Sequence, residues 1–284
     1  MKKLDNQIFQ DRRNSFLSKL DGKAAIIPGA KLVQHHADCE YPFRQESNFW
    51  YLTGFDEPDA IALFLSHKPI GERYILFVQP KNIESEVWNG FRWGTNGAEK
   101  VFKADKSHPI SEFEKELPHY LMGADEIVFS VGKYPEIEPI VLKLWAKQID
   151  NYSRIGIAPR AIQPPGMYLN QMRLIKSQYE IERMREAVLI SAEAHELIRL
   201  NIGSKSNEKQ IQGLLEGFFL EKGTRGPAYN SIVASGDNAC VLHYTSNNSE
   251  LKKGDLLLVD AGCSLQDYYN GDITRTFPIG GKFS

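Results

Sequence analysis

The most constraining feature of this sequence is one segment, VDAGCSLQDYYNGDITRTFPIGG, which holds two aspartates among strand and turn signals. The apolar run at residues 256–259 has the length of a buried strand and leads directly into Asp260. Asn270-Gly271 is typical of a tight turn, and Asp272 and a second strand-like run follow it. The segment therefore predicts two adjacent strands that place the Asp260 and Asp272 carboxylates side by side.

Two neighbouring carboxylates repel each other, and a carboxylate in a buried cavity is costly unless a cation compensates it. A divalent metal between Asp260 and Asp272 would remove both problems, and hard oxygen ligands of this kind suit manganese, magnesium or calcium. In the alternative interpretation each aspartate caps a turn, with Asp260 accepting from the amides of Ala261 and Gly262. The spacing alone leaves both interpretations open.

The residues before this segment predict an α+β layer. Ser177 and Glu180 form an S-x-x-E capping box that starts a helix, whose apolar stripe we place at Ile181, Met184, Val188 and Ala192. A second helix is predicted from about Ser206 until just before Gly223. Strands are predicted at residues 231–235, 256–260 and 272–278, so two helices precede an antiparallel sheet.

The first half of the chain is predicted to form a separate α/β domain. Apolar runs at residues 24–27, 60–65, 74–78 and 127–131 predict strands, and charged amphipathic segments separate them. The aromatic run at residues 49–51 is expected to be a buried strand that leads into Thr53-Gly54. Pro164, Pro165 and Gly166 interrupt regular structure. We therefore place one domain at residues 1–170 and a second at residues 171–284.

The DAG tract followed by GDITRTF resembles the pita-bread metallopeptidases, the family of methionine aminopeptidase, prolidase and aminopeptidase P. Three further tracts resemble Xaa-Pro aminopeptidase in particular: FRQESNFWYLTGFDEPDA, MRLIKSQYEIERMREA and YNSIVASGDNACVLHYTSN. The resemblance runs over nearly the whole chain. It implies an α/β domain of the creatinase/prolidase N-terminal type, followed by the first half of an α+β pita-bread catalytic domain.

The resemblance also implies roles for particular residues. Asp260 matches a ligand of one metal ion, and Asp272 matches a carboxylate that bridges two Mn2+ ions with a hydroxide nucleophile between them. His243, in the LHYTSN tract, matches a catalytic histidine near the scissile bond. For a lone histidine, the alternative interpretation is a structural group with satisfied hydrogen bonds.

Three other residues are candidates for the surroundings of the site. Tyr229 matches a tyrosine close to the metal-binding aspartates, with core packing as the alternative. Strand alternation places Thr274 on the same face as Asp272, where it would support that carboxylate. Trp88 resembles a tryptophan that reaches toward the active site of a neighbouring subunit, and the alternative is an ordinary surface or core aromatic.

The activity implied by the resemblance is removal of the first residue from peptides that have proline second. The alternatives are a prolidase-type dipeptidase and a non-catalytic fragment that binds a peptide or protein. The family completes its metal site with a histidine and two glutamates from the second half of the catalytic domain, and no residue here matches them. We therefore expect this chain to be incomplete for catalysis, with a complementing C-terminal half as a candidate partner and a homo-oligomer as the complete form.

Composition argues against other classes of function. The formal net charge is only −2, so no overall attraction to nucleic acid or to an anionic membrane is expected. No apolar run approaches the roughly 18 to 20 residues of a membrane span, and the first residues lack the apolar stretch of a signal peptide. Three cysteines form no disulfide framework, which fits a reducing compartment. The sequence therefore predicts a cytoplasmic protein.

Overall fold

The computed structural model describes residues 6–283, and the chain divides into two compact units. The first unit runs to Ile175 and the second begins at Lys176. The boundary expected from the sequence, between residues 170 and 171, falls inside a helix of the first unit, Gly166–Leu174. Pro165 stands immediately before that helix, where the fixed φ of proline suits helix entry. The two prolines therefore precede the last helix of the first unit and do not separate the units.

The first unit is built on a mixed six-stranded sheet and a short hairpin. Their strands are β1 (Ala24–Pro28), β2 (Gln34–His36), β3 (Cys39–Glu40), β4 (Ile61–Leu65), β5 (Tyr74–Val78), β6 (Lys106–Pro109), β7 (Ile127–Val128) and β8 (Ile162–Gln163). The strand order of the sheet is β6-β5-β4-β1-β7-β8. The pairs β1–β4 and β4–β5 are antiparallel, whereas β5–β6, β1–β7 and β7–β8 are parallel. A separate short hairpin is formed by β2 and β3.

Helices cover both faces of this sheet, which explains why every residue of β1, β4 and β5 is buried. On one face Phe16, Phe49 and Leu169 pack against the sheet, and on the other face Phe113 and Val141 do so. The α/β fold predicted for this part of the chain is confirmed. Its helices are α1 (Asn6–Leu20), α2 (Ser47–Thr53), α3 (Ile83–Asn89), α4 (Gly94–Lys100), α5 (Phe113–Leu121), α6 (Glu138–Asp150), α7 (Tyr152–Ile155) and α8 (Gly166–Leu174).

The aromatic run at residues 49–51 is buried as expected, but its predicted strand is wrong, because it lies in helix α2. The Glu46 carboxylate accepts hydrogen bonds from the amides of Asn48 and Phe49, at 2.7 and 2.8 Å. Gly54 ends the helix in the left-handed conformation, with φ of 65°. These two caps outweigh the strand preference of the aromatic residues.

The second unit begins with two helices, α9 (Gln178–Asn201) and α10 (Glu208–Glu221). The predicted capping box is confirmed, since Ser177 accepts from the Glu180 amide and the Glu180 carboxylate accepts from the Ser177 amide. Asn207 caps α10 by accepting from the Gln210 amide at 2.9 Å. Helix α9 has 24 residues, but no helix within residues 6–283 is both long and apolar enough to cross a membrane.

The apolar stripe predicted for α9 is wrong. Met184 and Val188 are 38% and 42% exposed, so the helix turns a different face to the core. That face includes three polar residues, of which Ser191 and His195 bind backbone groups of the segment that follows Asp260. The buried residues of α9 are Glu180, Ala187, Ser191, Ala194, His195 and Ile198.

A three-stranded antiparallel sheet completes the second unit. Its strands are β9 (Ile232–Ser235), β10 (Leu256–Asp260) and β11 (Thr274–Pro278), so the third begins two residues later than predicted. The strand order is β11-β10-β9. Leu257 and Val259 belong to a core that also contains Leu215 and Phe219 of α10. Both helices therefore pack against one face of the sheet, as an α+β layer requires.

The capping box provides a stability test for the second unit. Replacing Ser177 by Ala removes the acceptor for the Glu180 amide, and we expect the free energy of unfolding to fall by about 1 kcal/mol. Urea denaturation followed by circular dichroism measures the change. The matched control is Ser204→Ala, an exposed serine outside the cap, which should leave stability unchanged. Equal stability of the S177A protein and the unmodified chain would contradict the role of the cap.

Candidate metal centre

The two aspartates meet at one tyrosine hydroxyl. Asp260 is the last residue of β10, and Asp272 lies two residues before β11. The Tyr229 hydroxyl is 2.6 Å from Oδ1 of Asp260 and 2.9 Å from Oδ1 of Asp272. A hydroxyl has a single hydrogen, so the two carboxylates share one donor. The structure thus brings Tyr229, Asp260 and Asp272 together in one cluster.

Tyr229 remains a donor over the whole physiological pH range. Burial, together with the hydrogen bonds to Asp260 and Asp272, raises the pKa of its phenol far above the ordinary value. The chain next to Tyr229 is fixed by the Ala228 amide, which donates to the Gly262 carbonyl at 2.8 Å. The neutral phenol is therefore held between the two negative groups.

Close backbone packing sets the distance between the two aspartate segments. The Ala261 amide donates to the Ile273 carbonyl at 3.1 Å, and the Gly271 amide donates to the Cys263 carbonyl at 2.9 Å. A Cβ on Gly262 would overlap the Gly271 carbonyl. Gly262 is therefore required because another backbone approaches it closely.

Two side chains of helix α9 bind the backbone that follows Asp260. The Ser191 hydroxyl accepts from the Cys263 amide at 3.0 Å, and Nε2 of His195 donates to the Ala261 carbonyl at 3.0 Å. His195 is only 3% exposed, and burial lowers its pKa, so the ring is neutral near pH 7. The two side chains bind backbone groups on either side of Gly262, directly after Asp260. The sequence analysis missed them, although a polar pair at i and i+4 in an otherwise apolar helix face is a usable signal.

The turn between the aspartates differs from the predicted one. Asn270-Gly271 does not close it: the turn lies at residues 265–269, where the Leu265 amide donates to the Tyr269 carbonyl at 2.9 Å. Tyr268 takes the left-handed conformation there, with φ of 65°. A Cβ on Gly271 would overlap Ser191, so this glycine serves close packing against α9 and not the turn.

An ion pair ties this turn to α9. Nε and Nη2 of Arg183 lie 2.7 and 3.2 Å from the two carboxylate oxygens of Asp267, and the Tyr179 hydroxyl donates to Asp267 at 2.9 Å. The Tyr269 hydroxyl also contacts Glu180, at 3.1 Å. The pairing of Arg183 with Asp267 was not predicted, because the two residues are 84 positions apart in the sequence and only the fold brings them together.

The other candidate residues lie outside this cluster. Thr274 is the strand partner of Asp260, so the two share a face of the sheet. His243 is exposed in a turn, and within the described chain its side chain makes no hydrogen bond. Trp88 belongs to α3 of the first unit and is 86% exposed, so its interpretation as a core aromatic is wrong.

The donor atoms of the cluster fit part of a divalent-cation site. No ion pair within residues 6–283 compensates Asp260 or Asp272, and Arg275 donates to the Thr274 carbonyl instead. Carboxylate oxygens are the hard ligands that Mn2+ and Mg2+ prefer. The described residues contain no group of three or more His, Cys, Asp or Glu side chains arranged for a metal. Two carboxylates offer fewer oxygen donors than such a cation takes, so the cluster matches only part of a divalent-cation site.

Comparison with known proteins identifies both halves of the chain. Residues 9–129 match the family described as aminopeptidase P, N-terminal domain, and residues 182–284 match metallopeptidase family M24. The chain is 36% identical to an Xaa-Pro aminopeptidase of Escherichia coli strain K12 over its whole length, and it covers 64% of that relative.

Solved structures agree with this identification. An aminopeptidase of Pseudomonas aeruginosa superposes with a TM-score of 0.92 at 34% identity. A zinc-substituted aminopeptidase P of E. coli, solved with product, gives 0.90 at 37% identity. Each comparison covers 100% of this chain and 64% of the solved one. The chain thus spans about two thirds of the length of these relatives, and the predicted fold class is confirmed.

The shared hydrogen bond of Tyr229 predicts a measurable loss of stability. Replacing Tyr229 by Phe leaves Asp260 and Asp272 facing each other without a donor. We expect the unfolding free energy of the second unit to fall by about 1.5 to 3 kcal/mol, the usual contribution of hydrogen bonds to charged groups. Urea denaturation measures it, with Tyr152→Phe, at an exposed tyrosine, as the control. A loss no larger in Y229F than in Y152F would be inconsistent with the shared bond.

The close approach at Gly262 predicts that even a methyl group is not tolerated. Gly262→Ala should lower stability by about 3 kcal/mol, because the overlapping atoms belong to backbone that cannot move aside. Gly217→Ala, in the interior of α10 with open space around its Cβ, should instead stabilise by about 0.5 to 1 kcal/mol. Thermal unfolding compares the two proteins, and similar melting temperatures would refute the packing argument.

Proposed function

Because this chain belongs to metallopeptidase family M24 and carries an aminopeptidase P N-terminal domain, we propose that it acts as part of a manganese-dependent Xaa-Pro aminopeptidase. Such an enzyme removes the first residue from peptides that have proline second. The observation that carries the proposal is the meeting of Asp260 and Asp272 at the Tyr229 hydroxyl, within the DAG and GDITRTF tracts. The preference for proline rests on the name of the E. coli relative.

In this proposal Asp260 and Asp272 would hold the divalent cation through their carboxylate oxygens. When bound, the metal supplies Lewis-acid polarisation of the scissile carbonyl and lowers the pKa of a water molecule. The neutral Tyr229 hydroxyl orients both carboxylates, and Thr274 borders Asp260 on the same face of the sheet. Manganese is proposed because every ligand identified is a hard oxygen, although the E. coli enzyme also accommodates zinc.

His243 and Trp88 are proposed to contact the substrate. His243 is exposed and makes no hydrogen bond within the described chain, so its ring is available to donate to the peptide carbonyl as negative charge develops there. Trp88, 86% exposed on α3, is proposed to reach a second copy of the chain in a homo-oligomer. Three unpaired cysteines are consistent with a cytoplasmic location, which is part of the proposal.

The remaining metal ligands are proposed to come from a segment outside these 284 residues. Two carboxylates leave most coordination positions of two cations to water, which predicts weak binding by this chain alone. The segment is either a continuation of the same protein or a separate complementing chain. The small number of ligands also favours a second candidate function, a module that binds peptides without cleaving them.

Metal binding provides the direct test. We expect Asp260→Asn and Asp272→Asn each to weaken Mn2+ binding by about tenfold or more, since changes around metal ligands alone commonly cost 10- to 100-fold. Titration with Mn2+, followed by the electron paramagnetic resonance signal of the free ion, measures the affinity. Asp237→Asn, at an exposed aspartate outside the cluster, is the control. Equal Mn2+ affinity in all three variants would refute the proposed site.

Hydrolysis separates the candidate functions. An Xaa-Pro-Yaa tripeptide and an Xaa-Pro dipeptide are incubated with Mn2+ and the chain, with and without a complementing second-half polypeptide. Cleavage of the tripeptide only in the mixture supports the proposal, whereas cleavage of the dipeptide alone identifies a prolidase-type enzyme. Binding of either peptide without cleavage in both preparations favours the non-catalytic module.

A further inference from the structure

Glu208 is a fully buried carboxylate that accepts five hydrogen bonds. It lies in the first turn of α10 and is 0% exposed. Its Oε1 accepts from the amide and the hydroxyl of Ser235, both at 2.7 Å, and from the side-chain amide of Asn238 at 3.2 Å. Its Oε2 accepts from the Tyr244 hydroxyl at 2.7 Å and from the Ser249 amide at 3.0 Å. One side chain thus joins a helix, a strand end and a loop.

The carboxylate is ionised despite its burial. Desolvation opposes ionisation, but the hydrogen bonds from the Ser249 and Ser235 amides and from the Tyr244 hydroxyl outweigh it and lower the pKa of Glu208. Its place in the first turn of α10 adds the favourable interaction of a negative charge with a helix N-terminus. An ionised carboxylate accepts only, so both oxygens are free to receive donors.

The loop that Glu208 binds carries His243. Residues 236–249 leave the end of β9 and return toward the start of α10, with His243 in an exposed turn between them. Asn238 precedes the histidine, and Tyr244 and Ser249 follow it, so Glu208 binds the loop on both sides of His243. Tyr244 is the very next residue. The position of the histidine backbone therefore depends on this carboxylate.

Asn247 independently fixes the part of the loop that follows His243 and leads back toward α10. Asn247 is buried, its Oδ1 accepts from the Val233 amide at 2.9 Å, and its Nδ2 donates to the Ser231 carbonyl at 2.8 Å. In the described chain, none of residues 239–243 has a buried side chain. Loss of the Glu208 contacts would therefore loosen the turn around His243 while Asn247 keeps the loop attached.

We infer that Glu208 is a positioning residue for His243, holding the histidine where it meets the substrate carbonyl. The inference rests on the proposed function in one respect, namely that His243 contacts the substrate. Glu208 hydrogen-bonds to residues of β9 and of the loop and to neither of the two aspartates. Its effect on the reaction passes through the backbone on either side of the histidine.

Glu208→Gln tests the inference with little change in side-chain volume. A glutamine has one carbonyl oxygen and one amide nitrogen, so either the Ser235 or the Ser249 amide must face a group that cannot accept its hydrogen. We expect amide exchange in residues 236–246 to become about tenfold faster or more, as loss of a hydrogen bond to a charged acceptor implies. Hydrogen–deuterium exchange of the 284-residue chain measures this change.

The resonances of the His243 ring provide the second measurement. Nuclear magnetic resonance of the unmodified chain should give His243 ring signals with the chemical shifts of a fixed environment. In E208Q the lines should narrow, and their chemical shifts should move toward those of an unstructured peptide. The control is Leu215→Ala, which removes a buried side chain from the same helix without touching the loop. L215A should speed exchange in the helix–sheet core and leave the His243 resonances in place.

The outcomes are distinguishable from failure of the proposed function. Faster exchange confined to the loop in E208Q, with altered His243 resonances, supports the positioning role. Unchanged exchange and resonances in E208Q overturn it, and so does an L215A protein with the same changes as E208Q, because the effect would then reflect general destabilisation. Neither measurement requires metal or hydrolysis, whereas the proposed function fails on Mn2+ affinity and peptide cleavage.

Discussion

Two carboxylates that share a single hydrogen-bond donor repel each other, and much of the second unit serves to hold them together. The repulsion between Asp260 and Asp272 is resisted by backbone pairing between their segments and by Ser191 and His195 of α9. The ion pair of Arg183 with Asp267 fixes the turn that joins the segments. These contacts are all made by groups of the chain itself, and fixing two carboxylates in this way would lower the cost of binding a cation between them.

The two units are stabilised in different ways. In the first unit, apolar side chains of the sheet pack against helices on both faces, and burial of hydrophobic surface dominates. In the second unit, α9 and α10 place polar side chains within their buried faces, and Ser191, His195 and Glu208 bind backbone groups at strand ends or loops. Polar groups buried in this way add little net stability, but they determine where the backbone lies.

Much of this arrangement follows from local sequence, and the errors have a common cause. The capping box at Ser177 and the strand ending at Asp260 were predicted correctly, because each depends on residues close together in the chain. The interpretations of Asn270-Gly271 and of the stripe containing Met184 were wrong. A glycine needed for close packing has the same sequence signal as one needed for a turn, and only the fold tells them apart.

The aspartates were singled out because their tracts are distinctive, whereas Arg183, Ser191 and His195, which hold the backbone around them, were missed. Asp267 and Arg183 are separated by more than eighty residues, and no local pattern joins them. Tyr229 was named through resemblance, and its contact with both carboxylates required the folded chain. Residues that lie in distinctive motifs can therefore be picked out from sequence more readily than the supporting contacts that orient them.

The contacts of β9 limit how this sheet can grow. The Val233 and Ser235 amides point away from β10 and are already bound by Asn247 and Glu208, so side chains occupy the hydrogen-bonding positions that another strand would need. The opposite edge in the described chain is β11, Thr274–Pro278. Any polypeptide that extends the sheet must therefore add beside β11, next to the two aspartates, and growth in the other direction is blocked by the protein's own side chains.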